Sequence, residues 1–321
     1  MARLSLVMAC DAPTFGPLYD GAIQIGDVDL HVERLQAEER HHRMLHGLEF
    51  DVCEYSSVNY LSDFPTGLPF TAIPVFPHRV FRHRDIWVSR VTGVEEPGHL
   101  NGRRVGIQSW ANSAALWQRG ACQHDYGLDL ASVEWVANLP EGPGFQAPAW
   151  LRLSRRSGGR TLDQMLAAGE LDAMMVPWPG RFTPQEAERV RRLFPDYVAV
   201  EQQYFQRTGV FPIMHVVVIK NSVLGEHPWV AERVFEGLRR AIDAYVEIQR
   251  AANASSPIWR GLDWAEQECR LGANPWPCGL DANRATLDTA ITYALEQGVL
   301  TQPVSPEALF QFEGRALAGV G

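Results

Sequence analysis

The sequence predicts a two-lobed α/β protein with a cleft between the lobes and a helical tail, and three observations carry that expectation. Strand and helix patterns alternate through the first ninety residues, give way to a turn-rich connector, and resume near Asn101. Extended apolar segments near residues 70–88 and 212–220 carry the chain out of each alternation. The last seventy residues are patterned as helix and show no strand signal.

The elements follow in order. LSLVMAC is a buried strand, and IGDVDLHVERL, apolar at alternate positions, is a second. QAEERHHRMLHGLEF has helix period and a polar surface, DVCEY is a short strand, SSVNYLSDF a helix opened by a serine cap, and FTAIPVFP a further strand. After DIWVSR and the connector TGVEEPGHLNG, RRVGI begins the second alternation. It is followed by the helix SWANSAALWQRGACQHDYG and the strand VEWVANL. LPEGPGFQAPAWLRLSRRSGG is expected as a surface loop or β-ribbon, and TLDQMLAAGELDAMMVPWPG as a capped helix, a glycine stop and a short strand. PIMHVVVIK reads as a strand. HPWVAERVFEGLRRAIDAYVEIQRAA is the clearest amphipathic helix, with Val230, Val234, Leu238, Ile242 and Tyr245 at three- and four-residue intervals. This order divides the chain into one lobe of residues 1–88 plus 212–321 and a second of 89–211. Ligands of open α/β sheets sit beyond the carboxyl ends of strands, so the loops there are where chemistry is expected.

Composition narrows the function. A chain of 321 residues, 46% hydrophobic and 21% charged, has enough apolar surface for two cores. A net charge of −9 without a long basic stripe excludes a nucleic-acid partner. The cysteines Cys10, Cys53, Cys122, Cys269 and Cys278 form no CxxC pair, which argues against a secreted disulfide framework and for a reducing compartment. LSLVMAC lacks a small-residue cleavage site, and no run approaches the ~20 apolar residues of a membrane span. A cytoplasmic protein with no membrane partner is the expectation.

Within that acidic chain, FPHRVFRHRDIWV packs His78, Arg79, Arg82, His83 and Arg84 into seven positions. Two histidines five residues apart are possible metal ligands, yet three neighbouring arginines oppose a dication. A solvated basic turn is the plain alternative. The functional one is a guanidinium fork, from Arg79 or Arg82, that binds a carboxylate. Glu54, Ser56 and Ser57 end one strand and open a helix, as Ser109, Asn112 and Ser113 do in the second half. They are helix caps by default, and anion-binding groups if a ligand lies between the lobes. Trp178 and Arg181, in VPWPGRF, suit a flat aromatic acid just past a strand end. His41, His42 and His46 are expected on a solvated helix face. No nucleophile elbow, P-loop or GxGxxG is present.

HGLEFDVCEYSSVNYL, AIPVFPHRVFRH, LNGRRVGI, MLAAGELDAMMVP, RLFPDYVAVEQQYFQRTGVFPIMHVVVIK and HPWVAERVFEGL, in this order, resemble the 4,5-dihydroxyphthalate decarboxylase family. The resemblance covers roughly residues 1–245 and is most specific in FPHRVFRH and RTGVFPIMH. It implies a type II periplasmic-binding-protein-like fold and non-oxidative loss of a carboxylate from a dihydroxylated aromatic dicarboxylate, giving a dihydroxybenzoate. No cofactor is expected, a divalent metal being the minority alternative. The loop DAPTFGPLYDG and the segment 140–160 depart from the family and are expected to face the substrate.

Under that resemblance His215, a lone histidine in an apolar strand, joins His83 as candidate proton donor, with Glu54 as candidate base. Arg79, Arg82, His78, Ser56, Ser57, Ser109, Asn112, Trp178 and Arg181 are candidate substrate contacts. The competing class is a non-catalytic binding protein for a small aromatic acid. The helical tail is expected to pack across the lobes or to build a homo-oligomer contact.

Overall fold

A computed structural model describes residues 3–178 and 182–319. The first pass lays down β1 (Leu4–Cys10), the short α1 (Gly16–Tyr19), β2 (Val28–Arg34), α2 (Ala37–Gly47), β3 (Val52–Ser56), α3 (Ser57–Asp63) and β4 (Phe70–Ile73). The second contributes β5 (Ile86–Ser89), β6 (Arg104–Ile107), α4 (Ser113–Tyr126), β7 (Glu134–Ala137), β8 (Leu153–Arg155), α5 (Leu162–Ala168), β9 (Ala173–Met175), α6 (Pro184–Ala187), β10 (Val190–Arg192) and α7 (Tyr197–Thr208). The chain then returns through β11 (His215–Lys220) to α8 (Asn221–Glu226), α9 (Val230–Ala251), α10 (Trp264–Leu271), α11 (Arg284–Glu296) and the hairpin β12 (Gln311–Phe312) and β13 (Arg315–Ala316).

Two large sheets result, ordered β2-β1-β3-β11-β4 and β10-β5-β9-β6-β7-β8, beside the two-stranded β12-β13 hairpin. In the first, β1 runs parallel to β2 and β3, whereas β11 runs antiparallel to both β3 and β4. Every residue of β3 is buried, as a central strand covered on both faces requires. The helices start and stop where local chemistry dictates. Ser56 accepts from Asn59 N and Asn112 from Ala114 N and Ala115 N. Thr161 and Gln164 form a reciprocal cap, and Gly127 and Gly169 take the left-handed turn that ends α4 and α5. On α9, Val230, Val234, Leu238 and Ile242 are buried in one stripe.

One continuous apolar core joins both sheets to the tail, and a smaller one, around Leu162, Leu166, Leu171 and Met174, lies under α5. Removing a side chain such as Leu166 from such a core costs roughly 2–5 kcal/mol. Among the described residues no helix is long and apolar enough to cross a membrane.

The crossovers between the sheets run side by side. Met214 N donates to His78 O at 2.9 Å and Val80 N to Pro212 O at 3.2 Å, and Arg79 bridges Ile213. Ser113, at the start of α4, lies 3.1 Å from Ser56 Oγ and donates to Met214 O at 3.0 Å, so the helix starts of the two halves are joined directly. The tail spans both halves, since α11 packs on α3 and on α4. Gly120 of α4 lies flat against the Tyr293 ring of α11, where any Cβ would collide. Gln297 accepts from Arg119 Nε at 2.8 Å and donates to Leu116 O at 3.0 Å. Tyr60 of α3 donates to Leu309 O at 2.7 Å. The tail is not free of strands as its pattern predicted. Residues 311–316 form a hairpin of two-residue strands, too short to show an alternation.

Candidate active site

The densest group of titratable side chains at the strand ends of the first sheet is built from four elements. Glu54, on central β3, is 1% exposed, and each of its oxygens has two donors aimed at it. Oε2 accepts from Asp11 N at 2.8 Å and Ala12 N at 3.0 Å, where β1 gives way to the following loop. Oε1 lies 2.8 Å from Arg40 Nη2 and 2.5 Å from His215 Nδ1. Register explains the last contact: Glu54 pairs with Val217 and Ser56 with His215, so the two side chains are diagonal neighbours on antiparallel strands. A carboxylate only accepts, so the 2.5 Å contact with Glu54 puts a proton on Nδ1 of His215 and leaves the lone pair of the neutral ring on Nε2.

His78 joins from the first crossover, its ring 4.7 Å from that of His215. His41 comes from α2, its ring edge-on to His215 and to Tyr55 at 5.1 Å each, and its Nε2 has no hydrogen-bond partner among the described residues. Burial first, then the charges of Arg40 and Arg82, hold His215 well below the ordinary histidine pKa. Burial, then His215, does the same to His78 and His41. The resting site therefore presents neutral imidazoles beside two guanidinium–carboxylate pairs, Arg40 with Glu54 and Arg82 with Asp85.

Glu54, His78 and His215 bring ligand-capable atoms within 4.8 Å of one another. Both Glu54 oxygens are already occupied, and the Arg40 charge beside them opposes a dication, so the trio is better suited to moving protons than to holding a metal.

The other predicted residues are distributed more widely. Arg79 turns away from the histidines: it donates to Asn283 Oδ1 in the tail and to Phe211 O, and burial lowers its pKa to about 9. Arg82 pairs with Asp85 at 2.9 Å and donates to Pro177 O at 3.1 Å, close enough to the histidines for its charge to act on them. His83 is buried between Phe194 and Tyr204, neither ring nitrogen has a hydrogen-bond partner among the described residues, and burial lowers its pKa to about 4. Ser57 donates to Ile213 O and Met214 O, and Ser56 and Asn112 cap their helices. Ser109 is half-buried at the end of β6, and Trp178 packs against the smaller core. Arg181 lies outside the described residues.

Sequence reasoning missed Arg40 and His41 and placed His41 on a solvated face. Arg40 and Met44 are in fact buried and His41 half-buried, while His42 and His46 are exposed. The available signal was spacing: Met44 and Leu45 follow Arg40 and His41 by four residues, which puts all four on one helix face. Glu141 was also missed. It accepts from Trp110 N and from Ala111 N at 2.9 Å, so a carboxylate of the chain itself fills the amide pair beyond β6.

No family model matches the chain. A 4,5-dihydroxyphthalate decarboxylase of Comamonas testosteroni is 27% identical over 323 residues, covering 97% of this chain and 97% of that protein. Another, of Pseudomonas putida, is 35% identical over 188 residues, covering 56% of this chain and 72% of that protein. Among solved structures, the periplasmic aliphatic sulphonate binding protein SsuA of Escherichia coli matches with a TM-score of 0.52 at 13% identity, over 100% of this chain and 96% of that one. The fold is that of the periplasmic binding proteins, two-lobed and of type II.

Proposed function

The chain belongs to the 4,5-dihydroxyphthalate decarboxylase family, and on that premise we propose that it converts 4,5-dihydroxyphthalate, or a close dihydroxylated relative, to protocatechuate and CO2. The observation that carries this reading is the convergence of His215 and His78 at the strand ends, with Glu54 behind His215 Nδ1. Each carboxylate of this substrate has a hydroxyl para to it, so the ring itself can accept electrons and donate them back. His215 Nε2 takes the proton of that hydroxyl. His78, protonated as the dianion brings negative charge beside it, delivers a proton to the ring carbon bearing the carboxylate.

That carbon is then tetrahedral and its ring a dienone. The bond to the carboxylate breaks, CO2 leaves, the electron pair restores the aromatic ring, and the phenolate recovers its proton from His215. One proton, supplied by His78, is consumed per turnover. Arg82, the arginine of the basic cluster whose charge is felt at both histidines, contributes the potential that draws the remaining carboxylate in.

Incubation with 4,5-dihydroxyphthalate, with CO2 and protocatechuate followed together, tests the reading. Stoichiometric release of both, abolished in His215→Asn, is the expected result. Tight binding without turnover would overturn it in favour of a receptor for aromatic acids.

A further inference from the structure

We propose that Arg40 is a positioning residue for the acid–base pair: it holds Glu54 against Nδ1 of His215 and so fixes the tautomer that leaves Nε2 as the proton acceptor. This inference rests on the reading of His215 as the base of the site.

Arg40 lies in the first turn of α2, 2% exposed, and has three separate acceptors. Nε donates to the main-chain carbonyl of Glu54 at 2.7 Å, Nη1 to Leu35 O at 2.8 Å, and Nη2 meets Glu54 Oε1 at 2.8 Å. Two of the three grips fall on one residue, one on its backbone and one on its carboxylate. They set the rotation of the Glu54 side chain as well as its place on the strand. An ammonium group has no planar fork and cannot reproduce both grips at once.

Two effects on His215 follow. The first is orientation: with Oε2 held by the amides of Asp11 and Ala12, Oε1 is the oxygen left for the imidazole, and Arg40 keeps it turned that way. The second is charge. Nη2 approaches Nδ1 to 3.1 Å, and since neither atom has a lone pair to offer the other, the approach places positive charge beside the ring and opposes a second proton. The groups that face His215 are Arg40 and His41 from α2, Glu54 from β3, His78 from the first crossover, and Arg82 further along it. Glu54 favours the imidazolium and the two arginines oppose it. Removing Arg40 leaves Glu54 to act with only Arg82 against it.

The test uses full-length protein labelled with 15N at histidine, with imidazole nitrogen shifts followed against pH. The wild type is expected to show His215 as the Nδ1–H tautomer. In Arg40→Met the pKa of His215 is expected to rise by about 1 unit or more, and the acidic limb of kcat/KM to move with it. Arg40→Lys, which keeps the charge and loses the fork, is expected to hold the pKa near the wild-type value and lower kcat about 10- to 100-fold. Because Arg40→Met leaves a buried carboxylate short of a partner and can unfold the chain, Glu54→Gln is the second variant. It removes the same anchor from the other side and is expected to mix the two tautomers. A folded Arg40→Met protein whose His215 keeps its tautomer and pKa overturns the proposal, as does a Glu54→Gln protein that remains purely Nδ1–H. The nitrogen shifts need no turnover, so a wild type with the expected tautomer and no decarboxylase activity would sink the proposed function and leave the role of Arg40 intact.

Discussion

Glu54 and His215 are separated by 161 positions in the chain and by 2.5 Å between Oε1 and Nδ1. They meet because β11, arriving after the whole second sheet, inserts beside β3 with its first residue at the strand end. In the proposed mechanism the contact divides the labour: Glu54 orients, His215 moves the proton, and His78 faces it from the crossover.

His215→Asn is expected to lower kcat about 10²- to 10⁴-fold, the usual contribution of a positioned general base, with substrate affinity nearly unchanged. Steady-state kinetics combined with calorimetric binding of the substrate check the split. A fall in affinity matching the fall in kcat/KM would mean that His215 binds rather than reacts.

His83 is expected to be dispensable for turnover. Its ring nitrogens have no partner among the described residues and it packs against Phe194 and Tyr204, so leaving it polar costs on the order of 1–3 kcal/mol. His83→Leu is therefore expected to match or exceed the wild type in Tm while retaining kcat. A large loss of kcat in a stable variant would return His83 to the reaction.

Acid is expected to destabilise the protein from about pH 6.5 downward. Burial holds His83 down to about 4 and pushes His41, His78 and His215 the same way, whereas the unfolded chain titrates its histidines near 6.5. Between those values these four histidines bind more protons in the unfolded state than in the native one, so their contribution to stability falls as pH falls, and the buried carboxyl of Glu201, which burial raises to about 7, offsets only one of them. His83 alone accounts for about 3 kcal/mol across its window. Urea unfolding at pH 7.5 and pH 5 measures the loss, and the slope should flatten in His83→Leu.

Arg79 and Arg82 are expected to separate by phenotype. Arg79 reaches Asn283 in the tail, so Asn283→Ala strands a buried guanidinium and should cost roughly 1–3 kcal/mol of stability with KM unchanged. Arg82→Lys keeps a charge but not the fork toward Asp85 and Pro177, and a rise in KM is expected there. Denaturation curves and KM for both variants are the measurement, and a raised KM in a stable Asn283→Ala protein would place Arg79 in the cleft.

Much of the architecture was legible in the sequence because it rests on local rules. Ser56, Asn112 and Thr161 announce helix starts by their capping chemistry, Gly127 and Gly169 announce stops, and α9 declares its buried stripe through Val230, Val234, Leu238 and Ile242. The site was legible only where a residue type was conspicuous in its surroundings, as with His215 in an apolar strand or Glu54 at a strand end. Arg40 and His41 were hidden within a polar run whose inward face is narrow. Arg79 and Arg82, near neighbours in sequence, diverge because one faces the tail and the other faces Asp85 and Pro177, a distinction made by long-range packing that spacing does not encode.

The place of β11 in the first sheet also bears on the order in which the molecule is made. Residues 86–192 contain every strand of the second sheet, so all of them are synthesised while the first sheet still lacks the strand between β3 and β4. An open seam at β3 and β4 then awaits a segment synthesised more than a hundred residues later, a non-local closure of the kind that slows folding. His215 is the first residue of that segment. The docking step that closes the seam is therefore also the step that sets imidazole against Glu54, and no chain released before it can carry the pair.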